Sequence, residues 1–283
     1  PPAAWCDDAL GRRGDHRRLL AGPLSERSRR QALGILAGLF QYLVRGGYLA
    51  GSPFALQPRR QRRRGATPRI ERFLDQPLWQ DVLVEVERWP QGTLRDRQRY
   101  ERARWVLRLL YATALRASEA AQAHEGDLRQ VRGRWWLHVV GKGGVEGRIP
   151  LSDALMQDYA RYRAFLGPPA QPDTTNHRPL ICGIAGHAQP LTSTAVYLIV
   201  KDVFRRVAAA WEARHPERAA QLRRVTTHWL RHTAASHQAD DGMPLHHIQQ
   251  NLRHSSIATT SIYLHTEDDA RHARTTASAQ EAR

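Results

Sequence analysis

Residues 133–151 read GRWWLHVVGKGGVEGRIPL. The first part, 133–141, alternates and is crowded with bulky side chains, the period-2 pattern of a strand. GRIPL at 147–151 is a second short strand. Between them GKGGVEG, with four glycines, reads as the loop of a hairpin. On both sides of this hairpin the apolar spacing becomes helical. Upstream, 25–45 carries Leu33, Leu36, Leu39, Phe40 and Leu43, with Ser25 or Ser28 as a cap and Gly46-Gly47 as a stop. Two more amphipathic helices are predicted at 77–89 and at 97–115, the latter with Trp105, Leu109 and Ala112 on one face. Downstream, helices are predicted at 152–167, 193–215, 228–240 and 244–253, with a loop at 167–179. The expected fold class is therefore mainly α with a small antiparallel β-sheet, an α+β chain.

The chain has 283 residues, room for one large domain or two ordinary ones, and shows no internal repeat. Residues 57–69, QPRRQRRRGATPR, have no core-forming pattern. We expect a basic linker at 58–69 whose Arg59, Arg60, Arg62, Arg63 and Arg64 lie against phosphates. It separates a helical N-terminal domain, 1–57, from a larger domain, 70–283. The net charge of +16 points to a polyanionic partner, nucleic acid or an anionic membrane surface. No apolar run approaches the ~20 residues of a membrane span, and PPAAWCDDALGRRGDHRR at the start has no apolar signal region. The two cysteines, Cys6 and Cys182, make no disulfide framework, which fits a reducing cytoplasm.

Only Lys142 and Lys201 among the 43 basic residues are lysines. Lys can give up a proton where Arg cannot. Lys201 reads as an ordinary exposed helix residue, whereas Lys142 sits on the hairpin loop. The other chemical candidates are Arg116, His228, Arg231, His254 and Tyr263. His228 and Arg231 are three apart, on one face at a helix start, a good anion site. Arg116 closes an apolar helix, where its guanidinium needs a strong partner; a phosphate is one, and Glu119 can brace it. For a phosphodiester, the arginines and a histidine would neutralise the oxygens, a tyrosine would attack, and a mobile lysine would protonate the leaving oxygen. Tyr263 taken alone is either a core aromatic or a nucleophile. His228 and His232 form an HxxxH pair, but the Glu of HExxH and a third ligand are absent, so no metal is expected. GKGG lacks the spacing and the Ser or Thr of a phosphate-binding P-loop, so no nucleotide cofactor is expected either.

Together, ATALRASEA at 112–120, GKGGVEGRIPL at 141–151, HWLRHTAAS at 228–236 and LRHSSIATTSIYLH at 252–265 resemble the tyrosine recombinase (phage integrase, Xer-like) family. The pattern is Arg, a Lys in a β-hairpin, His-x-x-Arg, His, and Tyr nine residues later. Residues 25–54 resemble the end of that family's all-α core-binding domain, which is expected to be incomplete here, since the chain opens on Pro1. The resemblance implies a tyrosine-recombinase catalytic fold and a site-specific DNA recombinase. Tyr263 would form a 3′-phosphotyrosine, with Arg116, Arg231 and His254 on the phosphate oxygens. Lys142 would protonate the leaving 5′-oxygen, His228 would assist proton transfer and Glu119 would support the site. The implied partners are double-stranded DNA recombination sites, a homo-tetramer on DNA with a dimer per site, and an accessory or directionality factor. No cofactor and no membrane are implied, and the expected place is the cytoplasm, on the nucleoid. The tail from 266 would pack onto a neighbouring protomer. Two positions depart from the pattern: Arg253 stands where the family usually has Gly, and Trp229 where it commonly has Asp. The alternatives are a type IB topoisomerase-like or telomere-resolving enzyme, and a DNA-binding accessory without catalysis.

Overall fold

Leu128, Leu137 and Ile149 stand opposite one another in a buried row across three antiparallel strands. The strands are β1 (Leu128–Val131), β2 (Arg134–Val140) and β3 (Glu146–Pro150), in that order in the sheet. This computed structural model describes residues 24–55, 72–141, 144, 146–184, 189–254 and 260. The linker arginines Arg59, Arg60, Arg62, Arg63 and Arg64, the hairpin's Lys142, Tyr263 and the tail from 266 lie outside the described residues. The chain divides into two compact units, 1–66 and 67–283.

In the first unit, α1 (Glu26–Arg45) starts on the side chain of Ser25, which accepts from the Ser28 N–H at 3.1 Å. It stops at Gly46, and Gly47 takes a positive φ. Phe40 packs against Phe54, with ring centroids 5.5 Å apart.

The second unit is built around the sheet and the helices α2 (Gln76–Glu87), α3 (Leu94–Thr113), α4 (Ala117–Gln122), α5 (Asp153–Leu166), α6 (Ser193–Trp211), α7 (Pro216–Arg224), α8 (Thr227–Asp240) and α9 (Leu245–Leu252). The long helix α3 is central and packs against α2, α5, α6 and α8. Its apolar row Trp105, Val106, Leu109 and Leu110 is buried. Tyr111 stacks on Trp79 at 4.7 Å. The Trp105 indole N–H donates to the Leu180 carbonyl at 2.6 Å, which ties the loop after α5 to the core. Such buried indoles need a polar partner, and this one has it.

The structure departs from the sequence reading in four places. The hairpin is part of a three-stranded sheet: β1 was missed because it is four residues long with only Leu128 buried. Arg132 and Gly133 join β1 to β2 with φ of 52° and 73°, the positive pair that a two-residue hairpin turn requires. Helix α3 begins at Leu94 rather than 97, because Thr93 and Asp96 form a capping box that lengthens it. The helix expected over 193–215 ends at Trp211, and Pro216 starts a separate helix, α7; proline is well suited to that first turn. Lys201 is not an idle surface residue. Its ammonium donates to the carbonyls of Arg223 and Val225 at the C-terminal end of α7, where a cation meets the negative end of the helix dipole. Among the described residues no helix is long and apolar enough to cross a membrane.

Candidate active site

Arg116 does not end a helix. Helix α3 stops at Thr113, Ala114 takes a left-handed conformation with φ 48°, and Arg116 is the N-cap of the short α4. This turn is what re-aims the arginine. Glu119, three residues on, reaches back with both oxygens. One accepts from the Arg116 backbone N–H at 2.8 Å, the other from its guanidinium at 2.7 Å. Glu119 is buried, while the Arg116 side chain stays 38% exposed. Burial alone would raise the Glu119 carboxyl; the Arg116 N–H and the Arg253 and Arg116 guanidiniums outweigh it and hold it below its ordinary value. The carboxylate is thus charged, and it fixes an arginine that still faces outward.

Arg231 lies one turn into α8 and is buried. Its guanidinium donates to the Ala114 carbonyl at 2.5 Å and to the Leu252 carbonyl. Those two carbonyls are the loose ends of α3 and α9, groups that helix geometry leaves without an intrahelical donor. A single side chain therefore joins three helices and has its plane set by them. The register of α8 is held from the other side, where Thr233 accepts from the Leu74 N–H and His237 meets the Leu74 carbonyl, both at 2.9 Å.

His254 follows the left-handed C-cap of α9, and its backbone N–H bonds back to Gln249 at 3.1 Å. Its Nδ1 lies 2.9 Å from the hydroxyl of the buried Thr260. Burial, then the charges of Arg231, Arg116, Arg253 and His228, push the His254 ring down to about 4. His228, in the first turn of α8, is pushed down by burial and by Arg231, Arg116 and Arg72. Each of these groups feels the same arginines, so Arg116, His228, Arg231 and His254 share one electropositive region. His232 sits one turn on from His228, ring centroids 4.2 Å apart, and is pushed down to about 3, by burial first. Among the described residues no three His, Cys, Asp or Glu side chains come together as a metal site.

These depressed imidazoles give a pH prediction. Protonation of His254 and His232 is disfavoured in the folded chain relative to their ordinary value of 6.5. Between pH 6.5 and 4 the unfolded chain therefore binds more protons, and stability rises with pH. The contribution is complete above pH 6.5 and is lost progressively below it. Urea midpoints should fall between pH 6.5 and 5, before most carboxylates titrate, and His254→Gln should flatten that slope. An unchanged slope in the variant would mean that His254 protonates as readily folded as unfolded.

Of the candidates read from sequence, four of the six chemical residues, together with Glu119, are brought together; Lys142 and Tyr263 lie outside the described residues. Tyr159, another tyrosine of the same unit, is a core aromatic: it is buried and donates to Glu125 at 3.0 Å. Three participants were missed. Arg72 carries no spacing signal, since its placement depends on α8 packing beside the segment before α2, and the HxxxH spacing marked His232 only as a metal candidate. Arg253 was visible only as a departure from a glycine pattern; the structure gives it a buried bond to Glu119.

A family model described as "Phage integrase family" matches residues 91–270. The chain belongs to the phage integrase family. The match takes in all four motif blocks and every residue of the site except Arg72. Among curated relatives, the tyrosine recombinase XerC of Staphylococcus saprophyticus subsp. saprophyticus is 30% identical over 202 residues, covering 71% of this chain and 61% of that protein. The tyrosine recombinase XerD of Staphylococcus epidermidis is 27% identical over 241 residues, 85% of this chain and 72% of that protein. The chain thus spans about three fifths of the first relative's length and under three quarters of the second's. Two solved structures share the fold. The XerH site-specific recombinase, bound to palindromic difH substrate in a post-cleavage complex, has a TM-score of 0.63 at 21% identity, over 91% of this chain and 68% of that one. The Tn1549 transposon integrase with transposon right end DNA has a TM-score of 0.61 at 18% identity, over 89% and 80%.

Proposed function

We propose that this chain is a site-specific DNA recombinase that cuts and rejoins strands through a 3′-phosphotyrosine on Tyr263, without metal or cofactor. The observation that carries the reading is the convergence of Arg116, Arg231, His228 and His254 from three separate chain segments, both arginines having their planes fixed by protein groups. Fixed cations aimed at a phosphodiester neutralise its non-bridging oxygens without reorganising at the moment of reaction. Arg116, Arg231 and His254 take those oxygens, and His228 assists proton transfer. Glu119 positions Arg116 without touching DNA. Lys142, from the β2–β3 loop, protonates the leaving 5′-oxygen. A second strand's 5′-hydroxyl then attacks the phosphotyrosine, and the exchange passes through a Holliday junction. Arg59, Arg60, Arg62, Arg63 and Arg64 lie along the DNA backbone between an N-terminal DNA-binding domain and the catalytic domain. Assembly is a dimer on each site and a tetramer across two, with the tail from 266 docked on a neighbour. Family membership supports the reading, as do relatives named for tyrosine recombination and structural neighbours solved on DNA.

The test is a pool of nicked duplexes of randomised sequence, in which cleavage near the nick sheds a short strand and traps the protein. Protease-sensitive adducts that survive detergent are expected, and sequencing them gives the site. No adduct with the folded chain would defeat the reading; relaxation of plasmids lacking any preferred site would favour a topoisomerase instead.

Lys142 has its own test. Lys142→Ala should slow cleavage of the recovered duplex by about 10² to 10⁴-fold, the usual worth of a general acid. A 5′-bridging phosphorothioate should restore the rate, because sulfur leaves without a proton. Equal defects on both substrates would remove Lys142 from the acid role.

A further inference from the structure

Arg253 occupies a backbone site suited to glycine. It is the C-cap of α9, with φ 52° and ψ 47°, a conformation that a side chain disfavours. The side chain is not loose on the surface: it is only 5% exposed. Its guanidinium donates to Oε2 of Glu119 and, at 2.8 Å, to the Asn251 carbonyl. Oε2 of Glu119 also accepts the Arg116 backbone N–H, and Oε1 holds the Arg116 guanidinium. One buried carboxylate is therefore shared by two arginines.

The path of the Arg253 stem is equally specific. It crosses β3 at Gly147, where a Cβ would lie 2.9 Å from Cδ and 3.1 Å from Cγ of Arg253. Gly147 is paired with Val139 on the face of the sheet that carries Leu137 and Ile149. The stem can lie there only because residue 147 has no side chain. Arg253 thus touches the strand leaving the β2–β3 loop, the cap of α9 next to His254, and the carboxylate that aims Arg116.

We propose that Arg253 is a positioning residue for phosphate recognition: by sharing Glu119 with Arg116 across Gly147, it locks α4, β3 and α9 together and keeps the charge of Arg116 from being neutralised by Glu119 alone. The inference rests on the recombinase reading for the phosphate, but not for the coupling. With Arg253 absent, Glu119 has one arginine partner and closes on it. Arg116 then offers less charge outward, and His254 loses one of the cations that oppose its protonation.

Arg253→Met keeps the stem on Gly147 and removes the charge. Cleavage of the nicked duplex recovered from the pool is expected to fall about tenfold at saturating DNA, the scale for loss of a supporting partner. The His254 ring, followed by NMR, is expected to titrate at higher pH than in the parent chain. Arg253→Lys should recover most of the rate and return the titration toward the parent position. Gly147→Ala, which leaves every charge in place, should slow cleavage similarly, and combining it with Arg253→Met should add little further. A parental His254 titration in Arg253→Met would overturn the proposal, as would full additivity in the double variant. The titration needs no DNA, so it reports on the coupling even where the parent chain forms no adduct, an outcome that would sink only the recombinase reading.

Discussion

Tyr263→Phe is expected to abolish covalent attachment to DNA while leaving DNA binding intact. The substitution removes one hydroxyl and keeps the ring. The effect therefore isolates the chemistry. If the Tyr263 hydroxyl is the nucleophile, adduct formation on the nicked duplex should drop by at least about 10³-fold, since binding groups alone supply little of the rate once the attacking atom is gone. Affinity for the same duplex, read by gel shift, should stay within about threefold, because a phosphodiester is held by the arginines. An adduct that persists in the Phe variant at more than a few per cent of the parental rate would show that another residue attacks. Tyr197, on the outer face of α6, would then be the tyrosine to replace, since it is 38% exposed. Tyr159 is excluded by its burial and its bond to Glu125.

Arg231→Ala should be costly for both stability and cleavage. Removing the guanidinium leaves the carbonyls of Ala114 and Leu252 facing a void at two fully buried residues. An unsatisfied buried acceptor costs about 1–3 kcal/mol, so the pair and the lost packing together come to about 3–5 kcal/mol. In a unit of this size that lowers Tm by about 10 °C. Cleavage should fall further than the folded fraction accounts for, because the same side chain is the phosphate's buried donor in the proposed site. Arg231→Lys can reach one carbonyl but cannot bridge two, and should lie between alanine and the parent in Tm. A parental Tm in the alanine variant would mean that α3, α8 and α9 are held together without this contact.

The two functions of Arg231 show why the site was only partly legible beforehand. The sequence identified the residue types. His228 and Arg231 fall on one helical face by spacing, and the structure has both on α8; Glu119, three residues on from Arg116, was expected to brace it and does so, although Arg116 caps α4 instead of ending α3. Spacing within one element is local geometry, and local geometry is readable from sequence. The direction in which Arg116 points was not readable. It depends on Ala114 leaving the helix in a left-handed turn, a conformation with no glycine to announce it. Similarly, β1 escaped notice because a four-residue strand with one buried side chain has no period to detect.

The sequence by itself determined the class of the molecule: a basic, mainly helical chain with a glycine-rich β-hairpin, and four blocks in the order of a tyrosine recombinase. Charge, periodicity and motif order are properties of the chain, and no folding is needed to read them. Only the tertiary structure decided how those blocks meet. Arg231 closes the ends of two helices far from it in sequence, Lys201 closes a third, and Arg253 shares a carboxylate with Arg116 across a glycine on a strand. Each of these contacts is a hydrogen bond between groups 21 or more residues apart. Their partners are mostly backbone carbonyls, which every residue possesses and no sequence pattern marks. A buried polar group must find a partner, but which one it finds is settled by packing.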